Sequence, residues 1–273
     1  MSEDNIFLSH EPTGAPSRQS AAVLLDKVTI SIDLPGATEE VVPGVLWGPV
    51  EGFPSPAYWA YQILCRRILG ITVNYKLGAT LKEEIGACLL GGHGIPARIG
   101  VAAFHHVRQK GAFHGMPPDE QTLQNWLKEP LQVDGRQVRY RFAAQKARYL
   151  SAALSAADVE GPPCSSGKAL RNWLLELPGI GYKTASWIAR NWLDADDVAI
   201  LDIHVLRAGQ LGRFFSPGLT VERHYLALEE QFIQFSHGLG VRPSELDALI
   251  WLEMSSANAI VHTLLKSLEK PAK

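Results

Sequence analysis

From residue 54 onward, apolar residues recur every three to four positions along most of the chain, the period of helices that bury one face. That period predicts helices near 55–69, 81–90, 96–110, 119–127, 139–156, 167–176, 182–193, 204–211, 221–236 and 243–268. Pro96 and Pro243 stand where a first helical residue tolerates proline, and Thr80 with Glu83 three residues on has the pattern of a capping box. Before residue 54 the pattern changes. Two strand-like stretches, 28–34 and 41–47, flank Pro35 and Gly36 and predict a small hairpin or paired extended segments. Residues 1–20 are polar and broken by Pro and Gly, the composition of a mobile tail. Many short helices with short connections predict a mainly α fold carrying a small N-terminal β element.

Composition adds limits rather than a direction. A chain of 273 residues can bury a full core, as one large domain or two interlocked ones. Its formal net charge of −2 counts against coating nucleic acid through bulk electrostatics, though not against gripping it through a local patch and backbone amides. Cys65, Cys88 and Cys164 are scattered and form no C-x-x-C, so neither a zinc knuckle nor a four-cysteine cluster is expected, and a reducing compartment fits. No signal-peptide pattern opens the chain and no run of about eighteen apolar residues occurs. The expectation is a cytoplasmic protein without a membrane span. His105, His106 and His114 lack metal-ligand spacing, and no metal or cofactor is expected; Glu83 and Glu84 read as a solvated helix face.

The chemistry concentrates at Leu177-Pro178-Gly179-Ile180-Gly181-Tyr182-Lys183. Here one helix ends, two glycines turn the backbone, and a second helix begins. Such a turn leaves amides uncovered at the positive end of a helix, a seat for a phosphate that needs no basic side chain. On the hairpin alone, Lys183 is either a nucleophile or part of a passive backbone clamp. Nineteen positions later, Asp202 interrupts the apolar run Ala199-Ile200-Leu201 and precedes Ile203-His204. Asp202 also suits the N-cap of the next helix.

The order of hairpin, lysine, one helix and D-x-H resembles the helix-hairpin-helix (HhH-GPD) DNA glycosylases, most of all the 8-oxoguanine DNA glycosylase/AP lyases, over residues 170–212. The resemblance implies a two-domain helical HhH-GPD glycosylase fold and a bifunctional base-excision repair enzyme. It would remove an oxidised, 8-oxoguanine-like purine from duplex DNA through a Lys183 Schiff base, with Asp202 as partner, and then nick the strand. Loss of the base builds positive charge on the sugar, which a carboxylate stabilises, and the amine attacks only when neutral, a state favoured by burial or a cationic neighbour. By the same resemblance Gly179, Gly181 and His204 hold backbone phosphate; His204 is otherwise a solvent-facing residue of a first turn. Trp251 would stack on the extruded base and Asp247, one turn earlier, would read its edge, unless Trp251 is core and Asp247 a surface charge. The family often carries an amide at that position, so Asp247 is a departure. Trp187, one turn after Lys183, is either the second wall of the base pocket or core beside Trp173 and Trp192. Asn191, a further turn along, shares the same helix.

A flipped base leaves a gap to be filled. The glycine-rich run Gly91-Gly92-His93-Gly94 resembles the family's wedge loop, with His93 in place of an asparagine and Arg98 facing the orphaned base. Lys146 and Arg148 resemble its basic helix start near the opposite strand, and are otherwise plain solvated charges. The expected partner is double-stranded DNA containing a damaged base, and the expected state a monomer. The expected domains are a 1–20 tail, 21–92 packed with 202–273, and 93–201 containing the helix-hairpin-helix at 170–192. Two rivals stay open: an enzyme for another base (oxidised pyrimidine, alkylated purine or hypermodified foreign base), and a non-enzymatic DNA-binding module. The missing cysteine cluster weighs against the pyrimidine branch.

Overall fold

The computed structural model describes residues 18–72, 75–92, 94–159 and 161–268. The chain runs β1 (Gln19–Leu25), β2 (Val28–Leu34), β3 (Glu40–Val42), β4 (Val45–Leu46), α1 (Pro56–Ile68), α2 (Leu81–Leu90), α3 (Ala97–Gln109) and α4 (Glu120–Lys128). There follow β5 (Leu131–Val133), β6 (Arg136–Val138), α5 (Ala143–Val159), α6 (Gly167–Leu175), α7 (Tyr182–Leu193), α8 (Ile203–Leu211), α9 (Val221–Gly238), α10 (Pro243–Ser256) and α11 (Asn258–Leu268). The fold is mainly helical, as the apolar period predicts. Visible caps set several helix starts: Ser55 Oγ accepts from the Tyr58 amide before Pro56, Thr80 caps α2, Asp119 caps α4 and Ser166 caps α6.

The β segments depart from expectation. Stretch 28–34 pairs backwards with β1 rather than forwards with 41–47, which folds on itself as β3 and β4. β1 begins inside the expected tail, whose residues 1–17 lie outside the described residues. Only Val23, Ile32 and Leu34 of this ribbon are buried, too few inward positions to imprint an alternating pattern on the sequence. A third hairpin, β5–β6, turns through Asp134 (φ 50°) and Gly135 (φ 74°) just before the helix expected over 139–156, which begins instead at Ala143 after a short link. The helix expected over 243–268 breaks at Ala257, where α10 and α11 meet at 92°. Just before the break, the Ser255 and Ser256 hydroxyls both donate back to the Leu252 carbonyl, a contact of the kind that bends helices. Among the described residues no single helix is long and apolar enough to cross a membrane.

Two hydrophobic cores organise the chain. One joins the N-terminal ribbon and α1 to residues 199–261; the other is built from residues 85–198. Helix α2, grouped by chain position with the terminal unit, packs instead against α3, α5 and α7. This is why Glu83 and Glu84 are buried rather than solvated. Glu84 accepts the Leu77 and Gly78 amides and the Asn191 side chain; Glu83 accepts the Ala79 amide and pairs with Arg108. The chain passes from one core to the other between Val198 and Ala199, three residues before Asp202.

Candidate active site

Helices α6 and α7 pack together across the turn that holds both glycines. Gly179 takes φ +82°, and a Cβ there would stand 2.1 Å from the Tyr149 ring, so a left-handed backbone and a close approach both require glycine. Gly181 differs. Its φ of −100° suits any residue, and a Cβ there would meet nothing within 4 Å. It is the N-cap of α7 and has no side chain to cover the first amides, so the positive end of the helix opens on free space. An open helix end is the geometric condition that the anion seat expected from sequence requires.

Lys183, in the first turn of α7, extends its amine to 3.4 Å from Asp202 Oδ2. Asp202 has extended backbone (φ −138°) and caps α8: its Oδ1 accepts the His204 amide at 2.8 Å and the Val205 amide at 3.1 Å. One carboxylate oxygen is thus committed to the helix and the other to the amine. The N-cap bonds and the contact with the lysine amine are present at once. Lys183 is 49% exposed and Asp202 9%, so the protein alone supplies less cover for the amine than the chemistry calls for. His204 lies alongside; burial pulls its pKa below the ordinary value, and the positive charges of Arg207 and Lys183 act the same way against Asp202.

The segment delivering Asp202 is held at three successive residues by side chains from elsewhere. Glu229 of α9 accepts the Ala199 amide at 3.0 Å, Asp247 of α10 accepts the Ile200 amide at 2.9 Å, and Tyr225 of α9 accepts the Leu201 amide at 3.2 Å. Each carboxylate also forms a buried ion pair with one arm of the helix-hairpin-helix: Glu229 with Arg171 of α6, and Asp247 with Arg190 of α7 at 2.8 Å. The two cores are therefore pinned together beside the lysine–aspartate pair. Tyr182 adds a stacked contact with Tyr225, ring centroids 5.3 Å apart.

This arrangement corrects the role expected of Asp247. It is 1% exposed with both oxygens engaged inside the protein, and burial pushes its pKa up to about 6 against the opposing pull of Arg190. It has no free oxygen to read a base edge. Arg190, Arg171, Glu229 and Tyr225 are the residues that sequence reasoning missed; the available signal was a lone charge on an apolar helix face, as at Arg190 between Ala189 and Trp192. Trp251, one turn beyond Asp247, is 45% exposed and is not core. Trp187 packs against the second core, and Asn191 is taken up by Tyr75 and Glu84.

The expected wedge region is only partly in view, since His93 lies outside the described residues. Lys146 reaches back to the Gly91 carbonyl at 3.3 Å and is half-buried, which lowers its pKa. Arg98 is exposed and pairs with Asp134 at 3.1 Å, and Arg148 is exposed beside the Tyr149 ring. Among the described residues no group of three His, Cys, Asp or Glu side chains is placed to hold a metal.

The sequence profile of a family described as 8-oxoguanine DNA glycosylase matches residues 73–241, more than half of the chain, including Lys183 and Asp202 but ending before Asp247 and Trp251 of α10. The chain belongs to this family. Among its relatives is an 8-oxoguanine DNA glycosylase/AP lyase of Methanocaldococcus jannaschii, 30% identical over 129 residues, which are 45% of this chain and 62% of the relative. A protein of the same description from Thermoplasma volcanium is 33% identical over 133 residues, 47% of this chain and 61% of that one. The matches thus span less than two thirds of these relatives' own length. A crystal structure of the Methanocaldococcus jannaschii 8-oxoguanine glycosylase/lyase in complex with 15mer DNA containing 8-oxoguanine is 27% identical, with a TM-score of 0.48 over 64% of this chain and 81% of that chain.

Proposed function

We propose that this family member is a DNA glycosylase with AP lyase activity, acting on an 8-oxoguanine-like purine in duplex DNA. One observation carries the reading: an amine and a carboxylate oxygen 3.4 Å apart beside a helix N-terminus left open at Gly181. The open amides would take a phosphate next to the extruded nucleotide. The sugar then sits over Lys183, and the nucleotide itself supplies the desolvation that the half-exposed amine lacks. The nitrogen lone pair bonds to the anomeric carbon as the glycosidic pair leaves with the base, which takes up a proton. Asp202, its second oxygen fixed by two amides, holds negative charge where the sugar becomes cationic. Ring opening gives the protonated Schiff base, and loss of a proton from the adjacent carbon expels the 3′ phosphate. Trp251 offers an exposed flat face for the base. The choice of an oxidised purine rests on the family, now that Asp247 is turned inward. Both reacting groups come from one chain, so the reading needs no second copy.

Borohydride trapping tests it. Wild type should become covalently joined to duplex DNA carrying 8-oxoguanine opposite cytosine, and Lys183→Gln should not. Trapping that persists in Lys183→Gln removes the assigned nucleophile. No trapping by wild type on 8-oxoguanine or on a panel of other lesions reduces the helix-hairpin-helix to a backbone clamp.

A further inference from the structure

Residues 135–157 contain five cations, Arg136, Arg139, Arg141, Lys146 and Arg148, and no Asp or Glu, within a chain whose net charge is −2. The four arginines are all exposed, and none makes an ion pair with a described carboxylate. The neighbouring acid, Asp134, is already engaged by Arg98. Unneutralised charge of one sign on one segment sets up a local field that the net charge of the chain does not supply.

The segment is also held in a defined place. Between Val138 and Phe142, exposure alternates residue by residue. Tyr140 is buried and its hydroxyl donates to the Leu90 carbonyl at 2.7 Å. The Phe142 ring lies against Gly94. With Tyr140 buried and Phe142 partly buried, Arg139 and Arg141 are the residues this stretch leaves exposed. Lys146 ties the same stretch to Gly91. The row is therefore fastened to the glycine-rich turn. At its other end, Tyr149 fills the space that makes Gly179 obligatory, which joins the row to the helix-hairpin-helix turn.

We propose that Arg136, Arg139 and Arg141 form a second phosphate-binding row, which tracks the backbone of duplex DNA away from the nucleotide held at Lys183. The inference rests on the DNA-binding part of the proposed function and extends it to a surface outside the lysine–aspartate site. The row supplies locally the attraction that the net charge of the chain denies. Because phosphate contacts carry no base information, its effect is the same on damaged and undamaged duplexes.

The test is the salt dependence of binding to an undamaged duplex, followed by fluorescence anisotropy between 50 and 200 mM salt, conditions in which each lost phosphate contact flattens the log–log slope by about 0.9. The triple variant Arg136→Ala, Arg139→Ala, Arg141→Ala should have a slope shallower by up to about 2.7, the sum of three such contacts. A control removing equal charge from other exposed positions, Lys27→Ala, Lys128→Ala, Arg223→Ala, should stay near wild type. Replacement of the three arginines by lysine should keep the steep slope, since point charges suffice for a phosphate; this separates lost charge from lost folding. A triple-alanine slope equal to that of wild type or of the control overturns the row. If wild type traps on damaged DNA while the slope ignores the arginines, only the row fails. If the slope responds and nothing traps, the row stands and the enzymatic reading falls.

Discussion

Asp247→Ala separates a residue that reads a base from one that joins two cores. The Asp247 carboxylate is 1% exposed, accepts from Arg190 at 2.8 Å and takes the Ile200 amide at 2.9 Å. Removing it strands a guanidinium that is only 10% exposed, and leaves a partly buried amide without its acceptor. Breaking one side of a buried ion pair costs about 3–5 kcal/mol, because the remaining charge stays desolvated. An unpaired amide adds about 1–3 kcal/mol before relaxation. The cation–π contact of Arg190 with Tyr75, at 5.2 Å, and water entering the vacated space offset part of this. A net loss of about 3–5 kcal/mol in urea unfolding at pH 7 is expected, with reduced base release at temperatures where the variant stays folded, because the segment leading to Asp202 loses one of its three holds. A base-reading residue behaves in the opposite way: its removal leaves stability within about 0.5 kcal/mol, the usual range for a surface change, and alters lesion preference. An Asp247→Ala protein as stable as wild type but changed in the bases it releases would refute the joining role.

Asp202→Asn keeps an N-cap acceptor and should unfold within a few tenths of a kcal/mol of wild type, whereas Asp202→Ala should lose about 1 kcal/mol; base release should collapse in both, as seen by comparing urea melts with product gels. Gly181→Ala has the room and the backbone angle to fold normally, yet puts a methyl at the open helix end, so DNA affinity should fall while the thermal melt holds. Gly179→Ala meets positive φ and the Tyr149 ring, and should lower the melt itself. The raised pKa of Asp247, about 6 in the fold against 3.8 when unfolded, sets a pH dependence. The group favours the fold fully below about pH 4 and loses that contribution as pH rises through 6. Wild type should therefore lose stability relative to Asp247→Asn between pH 4 and 7 in paired urea melts.

The lysine–aspartate pair was readable in the chain because both residues sit at element ends, where local rules are strong: a glycine turn before one, a helix start at the other. The bounds of α2 and α7 were visible for the same reason. What escaped was set by packing between distant segments. Nothing near Asp247 or Glu229 announces that Arg190 or Arg171, 57 and 58 residues away, will meet it. Glu83 and Glu84 resemble any solvated pair until α2 is packed against α7. β5–β6 did carry a local sign, the Asp134–Gly135 dipeptide, but strands of three residues fall below the length at which alternation shows. The break at Ala257 follows two serines whose hydroxyls both turn onto one carbonyl, residues that are otherwise ordinary in a helix.

The three grips on Ala199, Ile200 and Leu201 bear on how a substrate could be engaged. A joint gripped from α9 and α10, and linked by buried charges to α6 and α7, has little freedom to swing as a hinge. On the proposed reading the two lobes do not fold down over a duplex. The duplex deforms instead, kinking until a nucleotide reaches an amine and an acid that were already in position, so sequences and lesions that loosen base stacking are the ones most readily presented.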